Sequence, residues 1–270
     1  MTQFVVLAIG LLAAGALVGF LAGMFGVGGG TVVVPILYEV FVWFSVPDDL
    51  RMPLCAGTSL ALIIPTSIAS FTTHRRAASI DFALLRQWIL PVIAGVLVGT
   101  LLARYAPAAL FKAVFIVIAL ATAARLIFPN LLPKLNYDVP KPFVAPYGLI
   151  IGASASLIGI GGGLLSNMVM TMHGRAIHQA VATSSGVGVM VSLPGALGYM
   201  ASGWDKTGLP PYSLGFVSIA AVLLLMPASL ITARIGARVA HSVSKHRLEF
   251  AFAVYLILVS VQFSASLVVA

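Results

Sequence analysis

The feature that most constrains this chain is a series of long apolar runs, each close to the thickness of a lipid bilayer's hydrocarbon core. A helix rising about 1.5 Å per residue needs about 20 residues to cross a core of about 30 Å. Runs of that order occupy Phe4–Phe25, Pro53–Thr72, Phe82–Ala103, Leu110–Phe128, Phe143–Ile158, Gln179–Ser202, Tyr212–Ala233 and Leu248–Val269. Two further runs, Thr31–Phe44 and Leu164–His173, would make helices of only about 21 Å and about 15 Å. Each of these follows directly on a glycine cluster. The pattern predicts an all-α polytopic membrane protein with about eight full spans and two short helices.

Composition closes the soluble alternative. Of 270 residues 60% are hydrophobic and only 8% charged, where a water-exposed surface calls for about 25%. The formal charge of +8 would suggest nucleic acid in a soluble protein, but in a membrane protein basic loops set orientation, so no nucleic-acid partner is expected. The single cysteine, Cys55, excludes a disulfide framework and a Cys-rich metal site. His74, His173, His178, His241 and His246 fall at segment ends without metal-ligand spacing, so neither a metal nor a cofactor is expected. The N-terminal Met1-Thr2-Gln3 carries no Lys or Arg, and the first apolar run is therefore read as mature structure instead of a signal peptide.

The chain repeats itself. Gly26-Val27-Gly28-Gly29-Gly30 recurs as Gly159-Ile160-Gly161-Gly162-Gly163, each copy between a long and a short run. Gly57-Thr58-Ser59 is answered by Ala182-Thr183-Ser184, and Gly99 with Ala103 by Gly236 with Ala240. The organisation expected is a first transmembrane repeat at 1–128, a proline-rich cytoplasmic linker at 129–142 and a second repeat at 143–270. If each glycine cluster turns the chain back within the membrane, Arg75, Arg76, Arg86, Arg125, Lys134, Lys141, Arg175, Arg234, Arg238, Lys245 and Arg247 share one side. Arg51, Arg104, Lys112 and Lys206 take the other, with Asp48, Asp49 and Asp205. The positive-inside rule makes the first side cytoplasmic, and the halves become inverted copies of the kind common in secondary transporters.

Irregular backbone at membrane depth is tolerated only where protein buries it or where it lines a polar cavity. Gly28, Gly29 and Gly30, and Gly161, Gly162 and Gly163, can adopt positive φ and turn successive N–H groups toward one point. The short helices that follow start there, with free N–H groups and the positive ends of their dipoles. Thr31 is expected to cap the first, with Pro35 in its first turn; Ser166 and Asn167 provide polar groups in the second. Two such starts near the midplane would hold an anion. The substrate-binding residues expected are Gly28, Gly29, Gly30, Thr31, Thr58, Ser59, Gly161, Gly162, Gly163, Asn167, Thr183 and Ser184.

Plainer roles stand beside these. Gly15, Gly19 and Gly23, spaced by four, suit a helix-packing face. Thr58, Ser59, Thr183, Ser184 and Ser185 either back-bond to a carbonyl one turn earlier or line the site. Arg75, Arg76, Arg234, Arg238 and Arg247 suit orientation signals. Glu39, the one carboxylate well inside an apolar run, sits near the outer interface or carries protons. Cys55 suits a small core residue.

At this point GMFGVGGGTVVVP, CAGTSLALIIPTS, SLIGIGGG, ATSSG and GARVAH together resemble the TauE/SafE family of membrane permeases. That resemblance implies a multi-pass carrier in the bacterial inner membrane exporting a small sulfur-containing anion, sulfite or an organosulfonate. The function expected is export by alternating access. The alternatives are an anion or small-solute channel using the same cavity and, further off, an intramembrane enzyme. No catalytic residues are expected: the histidines lie near the surfaces, no intramembrane general base can be named, and no Lys-Ser/Thr follows the glycines to make a nucleotide loop. The scarcity of intramembrane carboxylates suits a uniporter driven by membrane potential. Monomer and homodimer both remain open.

Overall fold

The computed structural model describes residues 2–25, 30–76, 80–128, 135 and 140–268. Among them are ten helices: α1 Thr2–Phe25, α2 Gly30–Trp43, α3 Asp48–Arg76, α4 Phe82–Tyr105, α5 Ala108–Ile127, α6 Lys141–Leu157, α7 Gly163–Met172, α8 Ile177–Ser202, α9 Ile219–Ser242 and α10 Lys245–Val268. Local chemistry explains several starts. Asp81 caps α4 by accepting a hydrogen bond from the Leu84 N–H at 3.1 Å. Asp48 and Asp49 place negative charge in the first turn of α3, where it meets the positive end of the helix dipole. Pro107 and Pro140 sit just before α5 and α6 in extended conformation.

Among the described residues six helices are long and apolar enough to cross a membrane, at Asp48–Arg75, Phe82–Ala103, Ala108–Ile127, His178–Ser202, Ile219–Gly236 and His246–Leu267. The other two predicted spans correspond to α1, whose 24 residues are of spanning length, and to the shorter apolar helix Pro142–Leu157. The seventh predicted run also starts later than Tyr212. Ser213–Leu214 and Val217–Ser218 form a small antiparallel hairpin, because Pro210-Pro211 and the positive φ of Tyr212 (61°) and Gly215 (53°) cannot continue a helix. Thr31 is not a cap: α2 already includes Gly30, which puts Pro35 inside the helix and leaves the Thr31 carbonyl without its usual donor.

The packing between helices repeats on exchanging α1–α5 with α6–α10. Helix α1 lies along α9 as α6 lies along α4; α2 packs on α3 as α7 packs on α8; α3 meets α8 and α5 meets α10. The long pairings are close because they are built on glycine. A Cβ added at Gly19 would lie 2.2 Å from the Ser229 carbonyl oxygen, at Gly95 2.2 Å from that of Leu149, and at Gly152 2.1 Å from that of Val92. Gly15 and Gly23 meet α9 backbone in the same way, so the four-residue glycine spacing of α1 is a packing face. Outward faces carry exposed apolar side chains, among them Leu90, Ile150, Leu223, Leu258 and Val261. In water that surface would be a liability; in lipid it is the solvent-facing surface. One end of the bundle carries exposed Trp43, Tyr105, Trp204 and Tyr212, an aromatic girdle of the kind found at membrane interfaces.

Candidate functional site: a cavity at the start of α7

Between α6 and α7 the chain leaves helical geometry and re-enters it within a few residues. Gly159 (φ 70°) and Gly162 (φ 71°) are both left-handed, a conformation only glycine adopts without strain. Gly162 is the residue before α7 and provides no side-chain cap, so the first N–H groups of α7 have no partner within the helix. The turn is fixed from two sides. Ser59 Oγ donates to the Gly159 carbonyl at 2.7 Å, and Gly30 packs so tightly that its Cβ would meet the Gly159 oxygen at 2.8 Å. The start of α2 therefore touches the turn that precedes α7.

A cavity of about 670 Å³ opens beside this turn. Gly161, Gly163, Asn167, Met168 and Thr171 line it from the turn and α7, Ser184, Ser185 and Gly188 from α8, and Ile63, Thr66, Ser67 and Ser70 from α3. Helix α1 adds Gly19 and Gly23, α5 adds Thr122 and Arg125, and α10 adds Glu249 and Phe252. Arg125 Nη2 donates to Thr171 Oγ1, which ties the guanidinium to the far end of α7. Asn167 Oδ1 is buried with no hydrogen-bond partner among the described residues. A solute bearing a donor would satisfy it, and the flipped amide would present an N–H to an anion. The walls are otherwise largely aliphatic and aromatic, with scattered hydroxyls.

Of the twelve residues predicted for binding, Gly161, Gly163, Asn167 and Ser184 line this cavity. Gly162 shapes the turn, with its Cβ direction facing Val187 and Val191. Gly28 and Gly29 lie outside the described residues. Gly30, Thr31, Thr58, Ser59 and Thr183 do not line the cavity, and the hydroxyls of three of them are engaged elsewhere. Thr58 Oγ1 accepts from the Ser218 N–H at 3.0 Å, just before α9. Thr183 Oγ1 accepts from the Asp81 N–H at 2.9 Å, just before α4. The two threonines thus do the same task in the two halves, each holding the entry of a long helix, which is neither of the roles their sequence context offered. Ser59 is committed to Gly159, while the Thr31 hydroxyl is buried with no hydrogen-bond partner among the described residues. Ser184 back-bonds to Val181 at 2.9 Å from the cavity wall.

Two charged residues escaped the sequence reading of the site. By sequence Arg125 flanks the basic loops, yet it lies within α5, which continues to Ile127. Glu249 stands one turn into α10. The signal that could have found both is that each lies inside a helix-length run and not after it. Glu39, the carboxylate singled out from sequence, is exposed and accepts a hydrogen bond from Gln262 Nε2; it is not among the lining residues of the cavity.

The sequence pattern of the family described as sulfite exporter TauE/SafE matches residues 11–263. The chain belongs to that family. It is 30% identical over 248 residues to a probable membrane transporter protein of Haemophilus influenzae, covering 92% of this chain and 94% of that protein. A probable membrane transporter protein of Methanocaldococcus jannaschii is 28% identical, with 92% and 91% covered. The probable membrane transporter protein YunE of Bacillus subtilis is 22% identical, with 93% and 95% covered. No solved structure matches the chain. This TauE/SafE member is a multi-pass membrane transporter, and a bacterial inner membrane is consistent with two of those relatives.

Proposed function

We propose that the protein exports a small anion, sulfite or an organosulfonate, by alternating access, and that the cavity beside the start of α7 is its binding site in the state open toward the cytoplasm. The observation that carries the reading is Arg125, the one cation among the described lining residues, set in the cavity that α7's unpaired N–H groups border. A guanidinium and a helix N-terminus are both complementary to an oxyanion. Gly161, Gly163, Asn167 and Ser184 bind with Arg125 and Thr171, while Gly162, Gly30, Ser59, Thr58 and Thr183 hold the walls. In this proposal residues 1–128 and 143–270 are inverted repeats around the site, joined by 129–142. The exchange symmetry of the helix contacts and the matched roles of Thr58 and Thr183 support it. The cavity end carries most of the basic loops, which supports its cytoplasmic assignment. Large buried side chains, Trp88, Phe111, Phe115 and Tyr199 among them, fill the rest of the interior, and this favours a carrier over an open channel.

The test is transport by purified protein in proteoliposomes. Efflux of a sulfonate should saturate and show counterflow, and Arg125→Gln should raise KM strongly with the protein still folded. Non-saturating flux without counterflow would favour the channel. Wild-type kinetics in a folded Arg125→Gln protein would remove the cavity as the site. Glu249 in the same cavity motivates a second reading, proton coupling, in which efflux follows a pH gradient and Glu249→Gln abolishes that dependence.

A further inference from the structure

We propose that Arg51 and Lys112 form a second anion station, at the opposite end of α3 and α5 from the cavity, and that the Asp48 carboxylate plugs it in this conformation. The inference rests on the anion-carrier reading and names a second stop on the same route. Three donors converge on one oxygen. Asp48 Oδ1 accepts from Arg51 Nη1 at 3.0 Å, from Tyr38 OH at 3.1 Å and from Lys112 Nζ at 3.4 Å, and Arg51 Nη1 also donates to Tyr38 OH at 3.2 Å. Arg51 Nη2 also donates to the Val46 carbonyl at 2.7 Å. The Tyr38 ring centroid is 5.1 Å from the Arg51 guanidinium and 5.3 Å from the Lys112 ammonium.

The cluster is left with donors and charge to spare. Among the described residues Arg51 Nε is buried without a hydrogen-bond partner, and the Lys112 ammonium, its side chain only 2% exposed, has one long ion pair for three N–H groups. Two cations face one carboxylate, and the neighbouring Asp49 is exposed and makes no ion pair among the described residues. A buried ammonium and guanidinium require more anionic contact than a single oxygen provides. An oxyanion has the needed geometry: several oxygens that can take Nη1 and Nζ together. Asp48 is the part that can leave, since its side chain is 42% exposed and heads α3.

Position gives the arrangement its use. From Lys112 to Thr122 on α5, and from Arg51 to Leu62 on α3, the cluster stands about 15 Å along the helices from the cavity's nearest lining residues. An anion released from Arg125 toward that end meets Arg51 and Lys112 next. While the cavity is open at its own end, the carboxylate occupies the cations and joins α2, α3 and α5; an arriving anion competes with it.

The experiment uses methanesulfonate as probe and calorimetric titration of the full chain in detergent, with Arg125→Gln to weaken the cavity site. Asp48→Asn added to Arg125→Gln should create binding of one methanesulfonate per chain, at least about tenfold tighter than Arg125→Gln alone, and Lys112→Met should cancel the gain. No gain on Asp48→Asn, or a gain that survives Lys112→Met, overturns the proposal. Should Asp48→Asn not fold, Lys112→Met alone decides in proteoliposomes. The KM for methanesulfonate presented at the cluster end should rise about tenfold, with no change at the cavity end; equal KM values at both ends sink the idea. Failure of the cavity reading is separate, because it shows as Arg125→Gln binding like wild type whatever stands at position 48.

Discussion

Arg125 illustrates how far a single side chain depends on its place in the helix. Its guanidinium reaches Thr171 across the cavity, and a charge-assisted hydrogen bond to an anion is worth about 1.5–3 kcal/mol. Arg125→Gln is therefore expected to weaken sulfonate binding by about tenfold to a hundredfold. Arg125→Lys should fall between, since the charge survives without the planar fork; KM in proteoliposomes reads both. The glycines of the turn separate structure from function. A Cβ at Gly163 meets nothing closer than the Ser184 hydroxyl at 3.9 Å, so Gly163→Ala should fold normally and lose transport if the backbone must approach the anion. Gly162 has φ 71° and its Cβ would sit 3.0 Å from Val191. Gly162→Ala should accordingly destabilise the protein by about 1–3 kcal/mol, seen as a lowered unfolding temperature in detergent.

At the scale of elements, the two long pairings are held by backbone approach instead of side-chain bulk. Within lipid there is no hydrophobic drive to bring helices together, and small residues that admit close van der Waals contact do the work. Gly19→Leu on α1 places a side chain where the Ser229 carbonyl already stands, 2.2 Å from the Cβ position. Neither helix backbone can yield, so α1 should separate from α9. The expected result is loss of monodisperse protein on size exclusion, whereas Leu12→Ala, on an exposed position of the same helix, should leave the profile unchanged. Helix α7 has the opposite character: ten residues long, it cannot cross the bilayer and begins inside the bundle, which is what places its N-terminus beside the cavity.

The molecule as a whole presents two unlike ends. The end opposite the cavity carries the aromatic girdle, the Arg51–Asp48–Lys112 cluster and an Arg104–Asp205 pair at 2.8 Å. With that end outside, Lys206→Cys on a Cys55→Ser background should react with an impermeant maleimide in intact cells, and Ser242→Cys should react only after lysis. In the same orientation the membrane potential favours anion export. Each elementary charge moved contributes ~2.3 kcal/mol per 100 mV, a roughly fifty-fold shift in the accumulation limit. An interior-negative potassium diffusion potential should therefore accelerate sulfonate efflux from proteoliposomes, and a pH gradient at clamped potential should have little effect. Efflux that follows the pH gradient and loses that dependence in Glu249→Gln would replace uniport by proton coupling.

The sequence by itself determined the properties that hydropathy and spacing encode: an all-helical membrane chain, two short helices each behind a glycine cluster, and a packing stripe at Gly15, Gly19 and Gly23. These are local or periodic properties, and the bilayer imposes them through length and backbone satisfaction. Tertiary structure alone decided which polar groups face the cavity. Thr58 and Thr183 suit either back-bonding or site lining in sequence, and each accepts from the N–H of a loop distant along the chain. Arg125 looks like a flanking charge, but the last turn of α5 carries it into the cavity. A hydroxyl's partner and a charge's surroundings are set by contacts between residues a hundred positions apart, and a run of apolar letters carries no record of which face of a helix meets its neighbour.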